Sequence, residues 1–188
     1  AASAHFEPVK FVINLTRKNG AGCLAHEWMH ALDTALITEF KDLMYHLSDV
    51  VYQRVSMNID YETAIKLTTA NNNIILNNFY NFVRNVYLSK KYNFYGDAKN
   101  LDAKKKDKYW SKPTEMMARS FEFYIIERLK RNNQVNEYLA QIPERKSTDR
   151  AYPYPYNEDK DLIMEDYDDI FNAISNTQYE LMEEWSNS

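Results

Sequence analysis

Apolar and polar residues alternate near the start of the chain, and the spacing becomes helical after about residue 22. Residues 9–15 read Val-Lys-Phe-Val-Ile-Asn-Leu, which places Val9, Phe11, Ile13 and Leu15 on one side and predicts a short strand. Two glycines in residues 18–22 then turn the chain into the next element. From Cys23 into the forties we predict one long helix, because apolar residues keep a helical spacing: Leu32, Leu36, Phe40, Leu43 and Leu47.

The next stretch predicts a second helix followed by a loop. Asp60 is a good N-cap residue, and apolar side chains continue at helical spacing as far as Val86. Residues 93–108 are polar and include three consecutive lysines at 104–106. We interpret this segment as an exposed loop and not as a nucleic-acid-binding patch, because no second basic cluster accompanies the lysines.

Two more helices are predicted in the second half of the chain. Ser111 and Pro113 supply a cap residue and an early proline, which start a helix that reaches Ile126. Residues 152–156, Tyr-Pro-Tyr-Pro-Tyr, predict a stiff non-helical connector. Beyond it, helical spacing predicts a docked helix through these apolar residues: Ile163, Tyr167, Ile170, Ile174 and Leu181.

The composition favours a mainly helical protein. The 188 residues suffice for one domain with a sizeable core, and 45% of them are hydrophobic, which argues against disorder. Glycine is scarce, with 3 residues, which favours long helices over a turn-rich β fold. We therefore predict a mainly α fold, α+β at most, in which residues 1–188 form a single domain and residues 157–188 are an acidic helix docked on it.

Charge, cysteine content and hydropathy narrow the classes of protein further. Residues 157–188 contain ten acidic residues and one lysine, which we interpret as a solvated helix face; the alternative is a segment that covers a basic surface.

The single cysteine, Cys23, excludes an internal disulfide, and we expect it to be a small buried residue and not a ligand. No apolar run approaches the ~20 residues needed to cross a bilayer. The chain begins without Met and without a signal peptide, so we expect a piece of a longer polypeptide or a processed product.

The most specific feature is His-Glu-Trp-Met-His at residues 26–30. In a helix, His26 and His30 lie one turn apart, so both imidazoles can bind one ion. Glu27 projects about 100° around the axis, from where it can act as a base on a metal-bound water without being a ligand. The motif also occurs by chance in helices. Uncharged neighbours favour the metal site, because a surface helix would carry charges among them: Leu24, Ala25, Trp28, Met29, Ala31 and Leu32.

A catalytic zinc site needs a third protein ligand. His46 would lie ~24 Å from His30 along a straight helix, too far to share an ion. His5 and two carboxylates, Glu115 and Glu122, stay open as candidates. The two glutamates are seven residues apart on one face of the predicted helix. We favour Glu115, which lies near the start of that helix beside a polar loop, and we expect Glu122 to hydrogen-bond to a liganding histidine.

Two separated blocks of the sequence resemble large polyvalent protein-associated domain 1. The first block comprises residues 4–8, 13–17, 20–22 and 26–33, and the second is residues 109–122. The resemblance extends from the start of the chain to about Ile126. This family is a zincin-like domain of very large proteins from phages, prophages and conjugative elements. The resemblance implies a mostly helical zincin fold and metallopeptidase activity.

The resemblance also suggests roles for individual residues. By analogy with other zincins that use two histidines and one glutamate, the Glu-x-x-Ala helix at residues 115–118 makes Glu115 the third ligand. Some of those zincins place an aspartate four residues after the glutamate to orient a histidine. Here that position is Arg119, so we expect Asp33 to take the orienting role. Arg119, one turn from Glu115, or Tyr124 is predicted to stabilise the oxyanion.

Together these patterns predict a gluzincin-like zinc metallopeptidase. Zn²⁺ would be bound by His26, His30 and Glu115, with Glu27 as general base and a peptide or protein as substrate. The domain is expected within a larger parent polypeptide of a phage or mobile element, in the cytoplasm of the bacterial host, without contacts to nucleic acid or membrane. One alternative is a catalytically vestigial zincin that serves as a structural or binding module. Another is zinc-dependent hydrolysis of a non-peptide bond.

Overall fold

The computed structural model describes residues 4–16, 20–36, 46–57, 74–88 and 92–186. Helices dominate these residues, which confirms the predicted mainly α fold, and none of these helices is long and apolar enough to cross a bilayer. The elements are β1 (Ala4–Glu7), β2 (Val12–Leu15), α1 (Leu24–Ala35), α2 (Leu47–Ser56), α3 (Ile74–Leu88), α4 (Asn93–Asp102), α5 (Pro113–Arg131) and α6 (Asp159–Ser186).

The two strands form an antiparallel hairpin in which Phe6 pairs with Ile13. The predicted strand is therefore confirmed over β2, but it begins three residues later than its apolar pattern. Phe11 adopts a left-handed conformation with φ 54°, and Val9 is 89% exposed, because both residues belong to the turn that reverses the chain. An edge-to-face contact between the rings of Phe6 and Phe11 packs this turn onto β1.

The predicted glycine turn before α1 is confirmed. Gly22 has φ 81°, a conformation that glycine adopts without steric cost. A distant loop supplies backbone partners on both sides of the helix start: Gly22 N donates to Tyr138 O at 3.0 Å and Ala25 N to Leu139 O at 2.8 Å. The second bond satisfies one of the N–H groups that the first turn of a helix leaves unpaired.

The prediction of one helix from Cys23 into the forties is wrong. α1 ends at Ala35, and the chain has turned back by residue 46, because Nδ1 of His46 lies 3.1 Å from Oγ1 of Thr34. A new helix, α2, begins at Leu47. Residues 37–45, with Phe40 and Leu43 of the predicted stripe, lie outside the described residues, as does the predicted helix start at Asp60.

The interpretation of residues 93–108 as an exposed loop is wrong over Asn93–Asp102, which is α4. Phe94 and Ala98, one turn apart, are fully buried and anchor this helix in the core. Its first turn is held by a remote carboxylate: Asp159 accepts the backbone N–H of Asn93 at 3.1 Å and of Phe94 at 2.8 Å. The three lysines at 104–106 are exposed, as predicted.

The centre of the fold is α5, which packs against α1, α2 and α6. It begins at Pro113 as predicted, although the capping position is Lys112 and Ser111 bonds elsewhere. The predicted docking of the acidic helix α6 is confirmed, since Ile163, Tyr167 and Ile170 are 0% exposed and Ile174 packs against the core. The side chain of Leu181 lies outside the described part of the chain. The predicted connector at 152–156 is non-helical.

Candidate metal centre

Three side chains from two helices converge where α1 meets the first turn of α5. Nε2 of His26 lies 3.4 Å from Oε2 of Glu115, and Nε2 of His30 lies 3.8 Å from Oε1 of the same carboxylate. One ligand atom from each of the three residues lies within 4.8 Å of the others. Two ligands that are each about 2.0–2.1 Å from a tetrahedral zinc ion lie roughly 3.4 Å apart, so the spacing suits such an ion.

The hydrogen bonding of Glu115 also fits a ligand. Its Oε2 atom is buried, and none of the described residues gives it a hydrogen bond of normal geometry. Its contact with Nε2 of His26, at 3.4 Å, is an ion pair and not a well-formed hydrogen bond. A buried carboxylate oxygen without a hydrogen bond is costly in a folded protein. Binding of a cation by this oxygen would remove that cost.

The second ring nitrogen of His26 is held from deeper in α5. Nδ1 of His26 lies 3.1 Å from Oε2 of Glu122, which is 4% exposed. Glu122 therefore forms a hydrogen bond to a candidate histidine ligand, as the sequence predicts. Asp33, which the sequence offered for an orienting role, instead accepts hydrogen bonds from the backbone N–H and hydroxyl of Ser48, at 2.8 and 2.5 Å. Asp33 thus holds the start of α2.

The proton distribution without metal follows from these contacts. Burial favours the neutral form of His26, but the neighbouring carboxylates of Glu115 and Glu122 outweigh it and raise the pKa of His26 to about 9. Burial and the charge on His26 lower the pKa of His30 to about 4. Burial alone would raise the pKa of Glu115, but the neighbouring His26 lowers that pKa to about 2.

Glu27 lines the same cavity as the three candidate ligands. It is 8% exposed, and burial raises the pKa of its carboxyl group. Phe6 in β1 lines this cavity too, so the hairpin packs beside Glu27. The sequence does not predict this contact, because β1 is too short to show a periodic pattern.

The cavity has a volume of about 320 Å³, and all four histidines of the chain line it. His46 was excluded on the assumption of a straight helix, but the turn after α1 brings its ring centroid to 5.9 Å from that of His30. His5 lies on β1, 3.3 Å from the Asn14 amide. Within the described residues, neither His5 nor His46 joins the three-residue cluster. Cys23 is half-buried just before α1.

The two residues predicted to stabilise an oxyanion have other partners. Arg119 is 1% exposed; its Nε donates to the carbonyl of Pro153 at 2.9 Å and its Nη2 to the carbonyl of Trp110. The hydroxyl of Tyr124 donates to Asp168 on α6 at 2.8 Å. Tyr109, for which the sequence predicts no role, lines the cavity beside Glu115. In the sequence, only its position in the block at 109–122 points to this site.

Comparison with known proteins supports the predicted resemblance. Residues 101–178 match the family model of large polyvalent protein-associated domain 1. The match includes the predicted block at 109–122 and Glu115, and it continues beyond Ile126 into α6. The block around His26 and His30 lies before the matched residues. No curated protein and no solved structure shows significant similarity to the chain.

Proposed function

We propose that this chain, whose residues 101–178 match large polyvalent protein-associated domain 1, is a zinc-dependent peptidase. The observation that supports this most is the meeting of His26, His30 and Glu115 around one point, with Glu27 in the same cavity. His26, His30 and Glu115 would hold the metal. Bound zinc would supply a Lewis acid that polarises a carbonyl group and lowers the pKa of water.

In this proposal Glu27 carries the proton transfers. Glu27 takes a proton from the attacking water as the water oxygen bonds to the carbonyl carbon of a peptide. It returns that proton to the amide nitrogen as the C–N bond breaks, which leaves a carboxylic acid and an amine. A raised pKa suits this exchange, because the carboxyl group must both accept and release a proton near neutral pH.

The rival function is a structural or binding module. Structural zinc sites have four protein ligands, whereas catalytic sites keep one position for water. Of the described residues, His26, His30 and Glu115 form the cluster, and His46 is not part of it. Glu27, which lines the same cavity, has no use in a structural site. Both observations favour a hydrolase.

The family resemblance suggests a substrate class and a setting for this proposed activity. We propose a peptide or protein substrate, which includes segments of the parent polypeptide, and a site of action in the cytoplasm of the bacterial host. The cavity of about 320 Å³ has room for one or two side chains beside the proposed metal. Zinc-dependent hydrolysis of a non-peptide bond is the second candidate, because it would use the same groups.

The decisive experiment combines zinc analysis with a proteomic cleavage screen. We expect wild-type protein to bind about one zinc per chain and to cut peptide bonds, and Glu27→Gln to keep zinc but lose cleavage. His26→Ala should lose both. Glu7→Gln, a control on the same hairpin at a half-buried carboxylate that pairs with Lys10 and does not line the cavity, should behave as wild type.

Three outcomes would contradict this proposal. Zinc stoichiometry near zero after supplementation would refute the metal site. Loss of zinc in Glu27→Gln to the same degree as in His26→Ala would refute the assignment of Glu27 as a base. Loss of zinc in His46→Ala would indicate a four-ligand site and would favour the structural module.

A further inference from the structure

The loop between α4 and α5 is closed by one carboxylate. Asp102, the last residue of α4, is 5% exposed. Its Oδ1 accepts the backbone N–H groups of Tyr109 at 3.0 Å and Trp110 at 3.1 Å. Its Oδ2 accepts the backbone N–H of Ser111 at 2.7 Å and the Ser111 hydroxyl at 2.8 Å. Four hydrogen bonds to one side chain fix the backbone on both sides of Tyr109.

Arg119 also contacts this turn, which comprises residues 109–111. Its Nη2 donates to the carbonyl of Trp110, and its guanidinium carbon lies 5.1 Å from the Trp110 ring and 5.8 Å from the Tyr109 ring. The ring of Tyr109 therefore lies close to this buried cation. Since Tyr109 is 40% exposed, its outer part reaches the cavity that His26, His30 and Glu115 line.

Tyr109 lines the same cavity as Glu115, the candidate ligand from α5. Burial and the nearby Glu115 carboxylate raise the pKa of the Tyr109 hydroxyl group, so the hydroxyl group and the carboxylate interact. His26 has an equivalent partner in Glu122. Outer partners of this kind fix the direction of a ligand and strengthen metal binding.

We propose that Tyr109 positions Glu115 for metal binding and that Asp102 holds Tyr109 in place. This inference rests on the proposed zinc site and deepens it. Asp102 is remote in sequence from Glu115 and is not a ligand, but it sets metal affinity through the turn at 109–111. If Asp102 only closed the loop between α4 and α5, replacing it would not change the affinity for metal.

The test measures zinc affinity of the full chain by competition with a chromophoric chelator. Tyr109→Phe keeps the ring and removes the hydroxyl, and Asp102→Asn keeps the size and removes the charge. We expect each to weaken zinc binding by roughly 10–100-fold, as for other outer partners of a ligand. The double variant should be no weaker than the weaker single variant, because both act on one carboxylate. Tyr138→Phe and Asp107→Asn, both exposed, are the matched controls and should not change the affinity.

A spectroscopic readout separates positioning from loss of stability. In protein loaded with Co²⁺, Tyr109→Phe should shift the visible absorption bands, while Tyr138→Phe should leave them unchanged. The melting temperature of metal-free Tyr109→Phe should stay near that of wild type.

The inference is overturned if wild type binds zinc and Tyr109→Phe matches it within about twofold, or if the effects of Asp102→Asn and Tyr109→Phe add. Wild-type protein that binds no zinc would refute the proposed function itself.

Discussion

Nδ1 of His26 lies 3.1 Å from Oε2 of Glu122, while Nε2 of the same ring lies 3.4 Å from Oε2 of Glu115. One imidazole thus bridges two carboxylates that stand two turns apart on α5. A hydrogen bond from Nδ1–H to Glu122 leaves the Nε2 lone pair for a metal ion. This geometry places the two glutamates at different nitrogens of His26, although helical phase alone could not separate them.

The first prediction compares the two glutamates. We expect Glu115→Gln to weaken zinc binding by more than the ~10–100-fold that is typical of an outer-sphere change, and Glu122→Gln to stay within that range. Competition with a chelator, measured side by side on both variants, gives the two affinities. If Glu122→Gln were the more damaging change, the roles of the two residues would have to be exchanged.

The second prediction concerns protons. With a pKa of about 9, His26 is protonated in the metal-free protein at pH 6, whereas His30, with a pKa of about 4, is neutral. Zinc must displace the proton from His26, so binding at pH 6 should release about one proton per zinc. Because protons compete with the metal, affinity should rise with pH until about pH 9. Titration calorimetry in buffers of different ionisation enthalpy measures the release; zero or two protons would contradict the assignment.

The candidate site was largely readable from the sequence because its geometry is local. Two histidines four residues apart share a helix face wherever that helix lies in the fold. The sequence does not show the contacts of Asp102 with residues 109–111, because they are hydrogen bonds between a helix end and a loop. It also does not show that His46 lies near His30, because that depends on the chain not continuing as a straight helix after Ala35.

The errors in the predicted fold have a similar cause. The sequence does not indicate α4, because its polar composition hides the pair Phe94 and Ala98 and because its capping carboxylate, Asp159, comes from the far end of the chain. It does not indicate β1, because four residues show no clear alternation until β2 is placed beside them. It does predict α6, because five apolar residues keep a helical spacing over four turns or more.

The third prediction uses two glycines as a matched pair. At Gly22, φ is 81°, and an added Cβ would lie 2.8 Å from Cβ of Gln141, so Gly22→Ala should destabilise the fold by about 1–2 kcal/mol or more. Gly96 lies inside α4 with open space around it, so Gly96→Ala should stabilise by roughly 0.5–1 kcal/mol. Urea unfolding of both variants measures the difference. Equal effects would show that the turn before α1 does not require glycine.

The fourth prediction concerns the docking of α6. Ile170 is 0% exposed, so Ile170→Ala should lower the free energy of unfolding by about 2–5 kcal/mol. Glu165→Ala, at an exposed position of the same helix, is the control and should change little. Truncation after Tyr156 removes Ile163, Tyr167 and Ile170 together and should leave the rest unfolded or close to it. An unchanged melting temperature after truncation would mean that α6 contributes no stability.

The last prediction concerns Arg119, for which the sequence suggested a role in oxyanion stabilisation. Its Nε and Nη2 atoms bind the carbonyl groups of Pro153 and Trp110, and none of the described residues accepts a hydrogen bond from its buried Nη1. A lysine cannot bind both carbonyls and also stack on the Trp110 ring, because its ammonium group is a single point charge. Arg119→Lys should therefore lower the free energy of unfolding by about 1.5–3 kcal/mol, the range for a lost hydrogen bond to a charged group. Urea unfolding of metal-free protein measures this change without any substrate. A residue that acted mainly on substrate would give the opposite result: unchanged stability in Arg119→Lys together with slower peptide cleavage by zinc-loaded protein.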